Sequence, residues 1–312
     1  MPKTISLAAY AVKIWDPEER KSQPMSSFDG EHDFMAFLYG VLSSLKKTWS
    51  RDKNSQQVLR VKTLKQTGRA TFGIIETGEY GVESTLLDVE KEVEVHARKA
   101  TEANMLPFYF LLDVPDEMDE AILLLQRTGM YGIRHLFSHV LCGEFDRKFT
   151  DYRLKIHPIV DKEEIEKYQR GRIESIRFIS FKIPPDITDA LEGGHKETFG
   201  RAELIIYARR GRYLPINRRL NQFFSGARKL SQLVALDETN FKYDDIKVKS
   251  KVGGSSRTVD LRELKRLRSY YDVSGQVQLD SSSGHPKFAS IHEAAQALRD
   301  KIAKTIYGQA HE

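Results

Sequence analysis

Six arginines fall within the short stretch from Arg201 to Arg219: Arg201, Arg209, Arg210, Arg212, Arg218 and Arg219, interleaved with Tyr207, Tyr213 and Asn217. A guanidinium is always charged and planar, and its fork of donors matches phosphate oxygens two at a time. Alternate residues of a strand share a face, so Arg210 and Arg212 lie together if the strand reaches them, and Arg209 faces away. Lys247, Lys249 and Lys251 form a second row at spacing two, with Arg257 near the following turn. Next, Arg262, Lys265, Arg266 and Arg268 occupy the polar side of an expected helix whose Leu261, Leu264 and Leu267 face inward. Three successive basic elements point to a polyanion. The expected phosphate-binding set is Arg209, Arg210, Arg212, Arg218, Arg219, Lys247, Lys249, Lys251, Arg262 and Arg266. No helix-turn-helix, zinc-finger or RNA-recognition signature accompanies it, so backbone contact to duplex DNA is expected rather than base readout. The blander reading is a set of scattered solubilising arginines.

Other chemistry is less well marked. His135, His139 and Cys142 recur at helical spacing and could aim three ligands from one face, but apolar neighbours explain that helix and no further ligand follows at a diagnostic distance. No metal or cofactor is expected. The chain lacks GxxxxGK[ST], GxSxG, HExxH and a dinucleotide-binding glycine motif after a strand. Asp186, Asp189 and Glu203 are the carboxylates a metal-dependent nuclease could use. That alternative stays open beside a protein-interaction adaptor, and a non-enzyme is the preferred reading.

The charge is sorted along the chain. Between residues 73 and 125 there are 13 Asp/Glu against 3 Lys/Arg, and between 200 and 275 there are 17 Lys/Arg against 8 Asp/Glu, within a formal net charge of +5. The acidic stretch reads as a solvated sheet face, or as a surface that meets the basic half of a second subunit. A chain of 312 residues buries roughly three quarters of its unfolded surface. The single Cys142 excludes an intramolecular disulfide and a multi-cysteine zinc site. No signal-peptide pattern opens the chain and the apolar runs are shorter than the roughly 20 residues of a membrane span. A soluble, cytoplasmic protein is expected.

These residues need elements to position them. Ile5–Trp15 reads as a strand and 27–49 as an amphipathic helix capped by Ser27 or Asp29. Strands are expected at Val58–Leu64, Ala70–Thr77, Leu106–Val114 and Ala121–Thr128, with a hairpin between residues 84 and 100. A helix follows Gly132, then strands at Asp151–Val160, Ile173–Ile183 and Arg201–Arg210, with a short helix from Asp161 before the second of them. The helix after Pro215, the basic hairpin around GGSS and a terminal helix from Ser290 to Tyr307 complete an α+β chain with antiparallel or mixed sheets. Two sub-domains are expected, 1–155 with the acidic segment and 156–312 with the basic one.

The passage MLPFYFLLDVPDEMDEAILLLQRTGMYGIRHLFSHVL, followed by YRLKIHPIV, RIESIRFISFKI and RAELIIYARRGR, resembles the RexA-like phage-exclusion proteins and related bacterial phage-defence proteins. The likeness runs from about Ile5 to the terminal helix. It rests on the order of a buried strand, an acidic turn, a second strand and a Gly-led helix. The resemblance implies a cytoplasmic homodimer that binds DNA without strong sequence preference and acts with a separate membrane or defence-system protein.

Overall fold

The computed structural model describes residues 4–116, 118–159, 170–182, 199–224, 227–233, 243–252, 255–261 and 270–307. The architecture is α+β: strand accounts for 44% of it, and the sheets are antiparallel, one of them curled into a half-barrel. The chain divides into two units, one formed by Met1–Pro158 with Tyr270–Glu312 and the other by Ile159–Ser269. The last 43 residues therefore return to the first unit instead of extending the second, because Tyr270–Asp272 pairs with the opening strand at Ser6–Ala8.

In the first unit a ten-stranded sheet has β11 (Arg153–Pro158), β1 (Ile5–Asp16), β9 (Ala121–Thr128), β8 (Asn104–Asp113), β5 (Ala70–Glu79), β4 (Gln57–Thr67) and β3 (Ser50–Asp52) in that order. Short strands β2 (Lys21–Gln23), β10 (Tyr131–Gly132) and β16 (Tyr270–Asp272) pair off this path. Helices α1 (Phe34–Lys47) and α2 (Arg134–Lys148) bury Phe34, Leu38, Leu42, Leu141 and Phe145 against Tyr10, Val12, Phe110, Leu123 and Leu125. Phe145 sits 5.0–6.2 Å, ring to ring, from Phe28, Phe34, Phe37 and Phe149. The opposite sheet face takes α4 (Phe288–Tyr307): the His292 ring stacks on Phe72 at 4.1 Å and Arg299 pairs with Asp113 at 3.3 Å. With both faces covered, the central strands are continuous apolar runs, and Ile5 to Val12 and Phe108 to Leu112 are buried throughout.

The helix α1 starts at Phe34, not near Ser27. Asp33 is its cap and accepts the Met35 N–H at 2.8 Å. Asp29, the expected cap, instead accepts the N–H groups of Glu31 and His32 and closes a turn through Gly30, whose φ is +87°. Gly73 serves close approach: a Cβ there would lie 1.8 Å from the Thr63 carbonyl oxygen, beside a register shift between Val61 and Thr63. The acidic segment is not uniformly solvated, since Glu76 is buried and held by Arg60 and Lys62. The ribbon β6 (Ser84–Asp88) and β7 (Val93–Arg98) pairs only with itself and exposes Leu86, Leu87, Val93 and Val95.

The second unit carries a four-stranded antiparallel sheet in the order β13 (Phe199–Tyr207), β12 (Arg172–Lys182), β14 (Asp245–Val252), β15 (Ser255–Asp260). One face buries Ile173, Ile176, Phe178, Ile246, Val248 and Val259 under Ile216, Leu233 and Leu220, the last from α3 (Asn217–Phe224). The expected helix from Asp161 and the basic helix after Leu261 lie outside the described residues.

Candidate nucleic-acid interface

The alternation of β14 decides which of its side chains can meet a ligand. Ile246, Val248 and Ser250 are buried, so Lys247, Lys249 and Lys251 stand on the other face, as their spacing predicts. Across the sheet, Lys247 stands opposite Arg177 and Asp260, and Lys249 opposite Ser175 and Thr258. The pairing of β12 with β14 shifts register between Ile173 and Ser175, leaving Glu174 as the extra residue. Arg172 thereby lands opposite Lys251 and shares the face of Ser175 and Arg177, although it lies an odd three positions from Ser175.

Two of the three lysines already have acidic partners. Lys247 Nζ lies 3.2 Å from the Asp260 carboxylate and Lys249 Nζ 3.3 Å from that of Glu174. The Ser256 hydroxyl donates to Glu174 at 2.7 Å, and this bond, followed by Lys249, holds the Glu174 carboxyl below the usual range. Lys251 is exposed and makes no direct ion pair among the described residues.

The arginines behave differently. The strand β13 stops at Tyr207, so Arg209, Arg210 and Arg212 form a turn instead of the alternating row a longer strand would give. That turn is closed by Arg212 N–H donating to Arg209 O at 2.7 Å, with Gly211 at φ +75°. It is anchored to β12 by Ala208 N–H to Glu174 O and Leu214 N–H to Ile173 O. All three side chains are exposed, as is Arg218 on α3, and none of the four has a partner among the described residues. Arg219 is exposed and turns one N–H to the Leu233 carbonyl at 3.5 Å. Arg262 and Arg266 lie outside the described residues.

The register gathers what the sequence scatters. Arg172, Arg209, Arg210, Arg212, Lys249 and Lys251 converge on one end of the sheet, where Glu174 is the carboxylate on the same strands. At the other end Glu203, Asp244, Asp245 and Asp260 are mixed with Arg177, Arg201 and Lys247. There Asp245 is buried, and burial together with neighbouring Asp260 pushes its carboxyl pKa up. The sheet is thus polar along its strands: a cationic end and a self-neutralised end. The sequence reading missed Arg172, whose guanidinium lies 5.1 Å from the Tyr213 ring centroid and donates to the Tyr213 hydroxyl at 3.3 Å.

The other candidates separate cleanly. Glu203 is engaged by Arg177 at 3.3 Å and by Arg201, while Asp186 and Asp189 lie outside the described residues. On α2, His135 and His139 are exposed but Cys142 points inward, its Sγ donating to the Leu154 carbonyl at 3.5 Å. Burial pushes that thiol up to about 11. Among the described residues no three His, Cys, Asp or Glu side chains gather as a metal site would require, and no helix is long and apolar enough to cross a membrane. The sequence matches no protein-family model and no curated protein.

Proposed function

We propose that this protein binds nucleic acid through its second unit, gripping the phosphate backbone without reading sequence. The observation that carries the reading is the turn Arg209–Arg212: three exposed guanidiniums with no ion-pair partner among the described residues, next to Arg172 and Lys251 at the cationic end of a sheet. Unpaired arginines on a turn are free to displace the counterions of successive phosphates, and this release drives sequence-indifferent binding. The cellular setting proposed is a cytoplasmic phage-exclusion system, on the resemblance of the passages from Met105 to Arg212. Fluorescence anisotropy with unrelated labelled oligonucleotides across a salt series tests the reading. Binding should be equal among sequences and linear in log–log salt, and the triple reversal of Arg209, Arg210 and Arg212 to Glu should weaken all sequences alike. No binding at 20 mM salt sinks it.

A second reading rests on a separate observation. Val82, Leu86, Leu87, Val89, Val93 and Val95 are all exposed on or beside the β6–β7 ribbon, and an isolated two-stranded ribbon is marginal in water. Such a ribbon suits a protein contact, and a second copy of the chain is the partner proposed. Sedimentation equilibrium of the wild type and of a Leu87→Glu, Val95→Glu double variant tests it. A wild type that stays monomeric at tens of micromolar rules the contact out.

A further inference from the structure

Phosphate grip alone serves duplex and single strand alike, so the choice between them must come from something other than charge. Tyr207 is the last residue of β13 and is 68% exposed, the most exposed aromatic side chain among the described residues. It makes no hydrogen bond, ring contact or cation–π contact among those residues. Its cross-strand neighbour on β12 is Ser175, and the next strand over places Lys249 opposite Ser175. With strands about 4.8 Å apart, the Tyr207 and Lys249 backbones stand roughly 10 Å apart with the small Ser175 between them. The arginine turn begins two residues beyond the ring, and Arg172 and Lys251 close the same end of the sheet. Tyr213, the neighbouring aromatic, already has its face occupied by Arg172. A ring without a partner among the described residues therefore stands at the end of the sheet that carries Arg172, Lys249, Lys251 and the arginine turn.

We infer that this end of the sheet is a stacking platform for single-stranded nucleic acid, with Tyr207 taking a base on its face while Arg209, Arg210, Arg212 and Lys251 hold the flanking phosphates. The inference rests on the phosphate-binding reading above and narrows its ligand. In a duplex the base faces are spent on one another, so an outward ring on a sheet gains nothing unless a base is pulled out of the stack, at a few kcal/mol. In a single strand every base offers a free face, and aromatic stacking contributes about 1–3 kcal/mol per base regardless of sequence. Exposed lone aromatics are ordinary on protein surfaces; what singles this one out is its surroundings.

The experiment compares labelled dT20, rU20 and a blunt 20-base-pair duplex for the full-length wild type, Tyr207→Ala and Tyr207→Trp. The expected result is tighter binding of a single strand than of the duplex. Tyr207→Ala should weaken the single strand by about 5- to 150-fold, which is that stacking energy expressed as affinity, and leave the duplex within about twofold. Tyr207→Trp should retain single-strand affinity and add an indole emission that changes when dT20 binds. The dT20 and rU20 arms separate DNA from RNA, and a preference for either over the duplex supports the platform. Equal binding of all three ligands with Tyr207→Ala affecting none overturns the platform but leaves the phosphate grip intact. Absence of binding to all three overturns both. Because the ring is exposed and has no partner among the described residues, Tyr207→Ala should keep the wild-type circular dichroism and melting curve, so a loss of affinity reads on the ring.

Discussion

The sorting of cations into free and neutralised ones makes a prediction that runs in two directions. Each phosphate contact adds about 0.7 to the slope of log affinity against log salt for single strands and about 0.9 for duplexes. Replacing Arg209, Arg210 and Arg212 by Ala removes three cations that are unpaired among the described residues, so the slope should fall by about 2 for dT20 and the affinity at 0.1 M salt by about 100-fold. Lys249 is different, because Glu174 lies 3.3 Å from its ammonium. Glu174→Gln frees that lysine: the slope should rise by about 0.7 and binding should tighten. The Lys249→Gln, Glu174→Gln double variant removes the pair together and should leave the slope near the wild-type value. Anisotropy titrations at five salt concentrations measure all three. A weaker or unchanged Glu174→Gln protein, or an arginine triple variant with the wild-type slope, would refute the assignment of free and paired charges.

Three further outcomes concern the scaffold. Gly73→Ala should lower the melting temperature, since its Cβ would meet the Thr63 carbonyl at 1.8 Å and overpacking costs at least about 1–3 kcal/mol, whereas Gly143→Ala, in open space within α2, should raise stability by about 0.5–1 kcal/mol. Calorimetry of the two variants reads both signs. Burial, then Lys65 and Arg299, lowers the His292 pKa, and the ring Nδ1 shares a 2.7 Å hydrogen bond with the Tyr109 hydroxyl. A lowered folded-state pKa gives stability present above the ordinary histidine range and lost as pH falls through it, so the melting temperature should drop between pH 7.5 and 5, and His292→Phe should flatten that drop. Asp245 has the opposite sign: its raised pKa means stability present in acid and lost as pH rises through the carboxylate range, so Asp245→Asn should stabilise the protein at pH 7 and have little effect near pH 3.5, by thermal melts at both.

Where apolar burial was two-sided, the sequence was easy to read. The runs FYFLL of β8 and AILLL of β9 announce themselves because both faces of those strands are covered, and the β14–β15 hairpin is signalled by GGSS in its sequence. What depended on distant partners was not legible. Asp29 and Asp33 are equally good caps by type, and only the tertiary bond from Arg69 to Asp33 and the local turn around Asp29 separate them. The return of Tyr270–Asp272 to the edge of β1 joins residues more than 260 positions apart, and nothing local encodes it. Glu76 looks like one more acid in an acidic stretch until the pairing of β4 with β5 brings Arg60 opposite it.

Charge shows the same divide most sharply. A count of basic residues between 200 and 275 treats Lys247 and Arg210 alike, yet one faces a carboxylate and the other faces water. Which is which depends on register, and register on a single extra residue. Without the bulge at Glu174, a strand from Arg172 to Arg177 would alternate strictly and put Arg172 on the face opposite Ser175 and Arg177, against the apolar core. With it, Arg172 joins Lys251 at the cationic end, and Glu174 reaches the lysine it neutralises. One insertion therefore both builds the cationic end of the sheet and limits it, which is why a substitution at Glu174, an acid, is the most informative probe of a basic site.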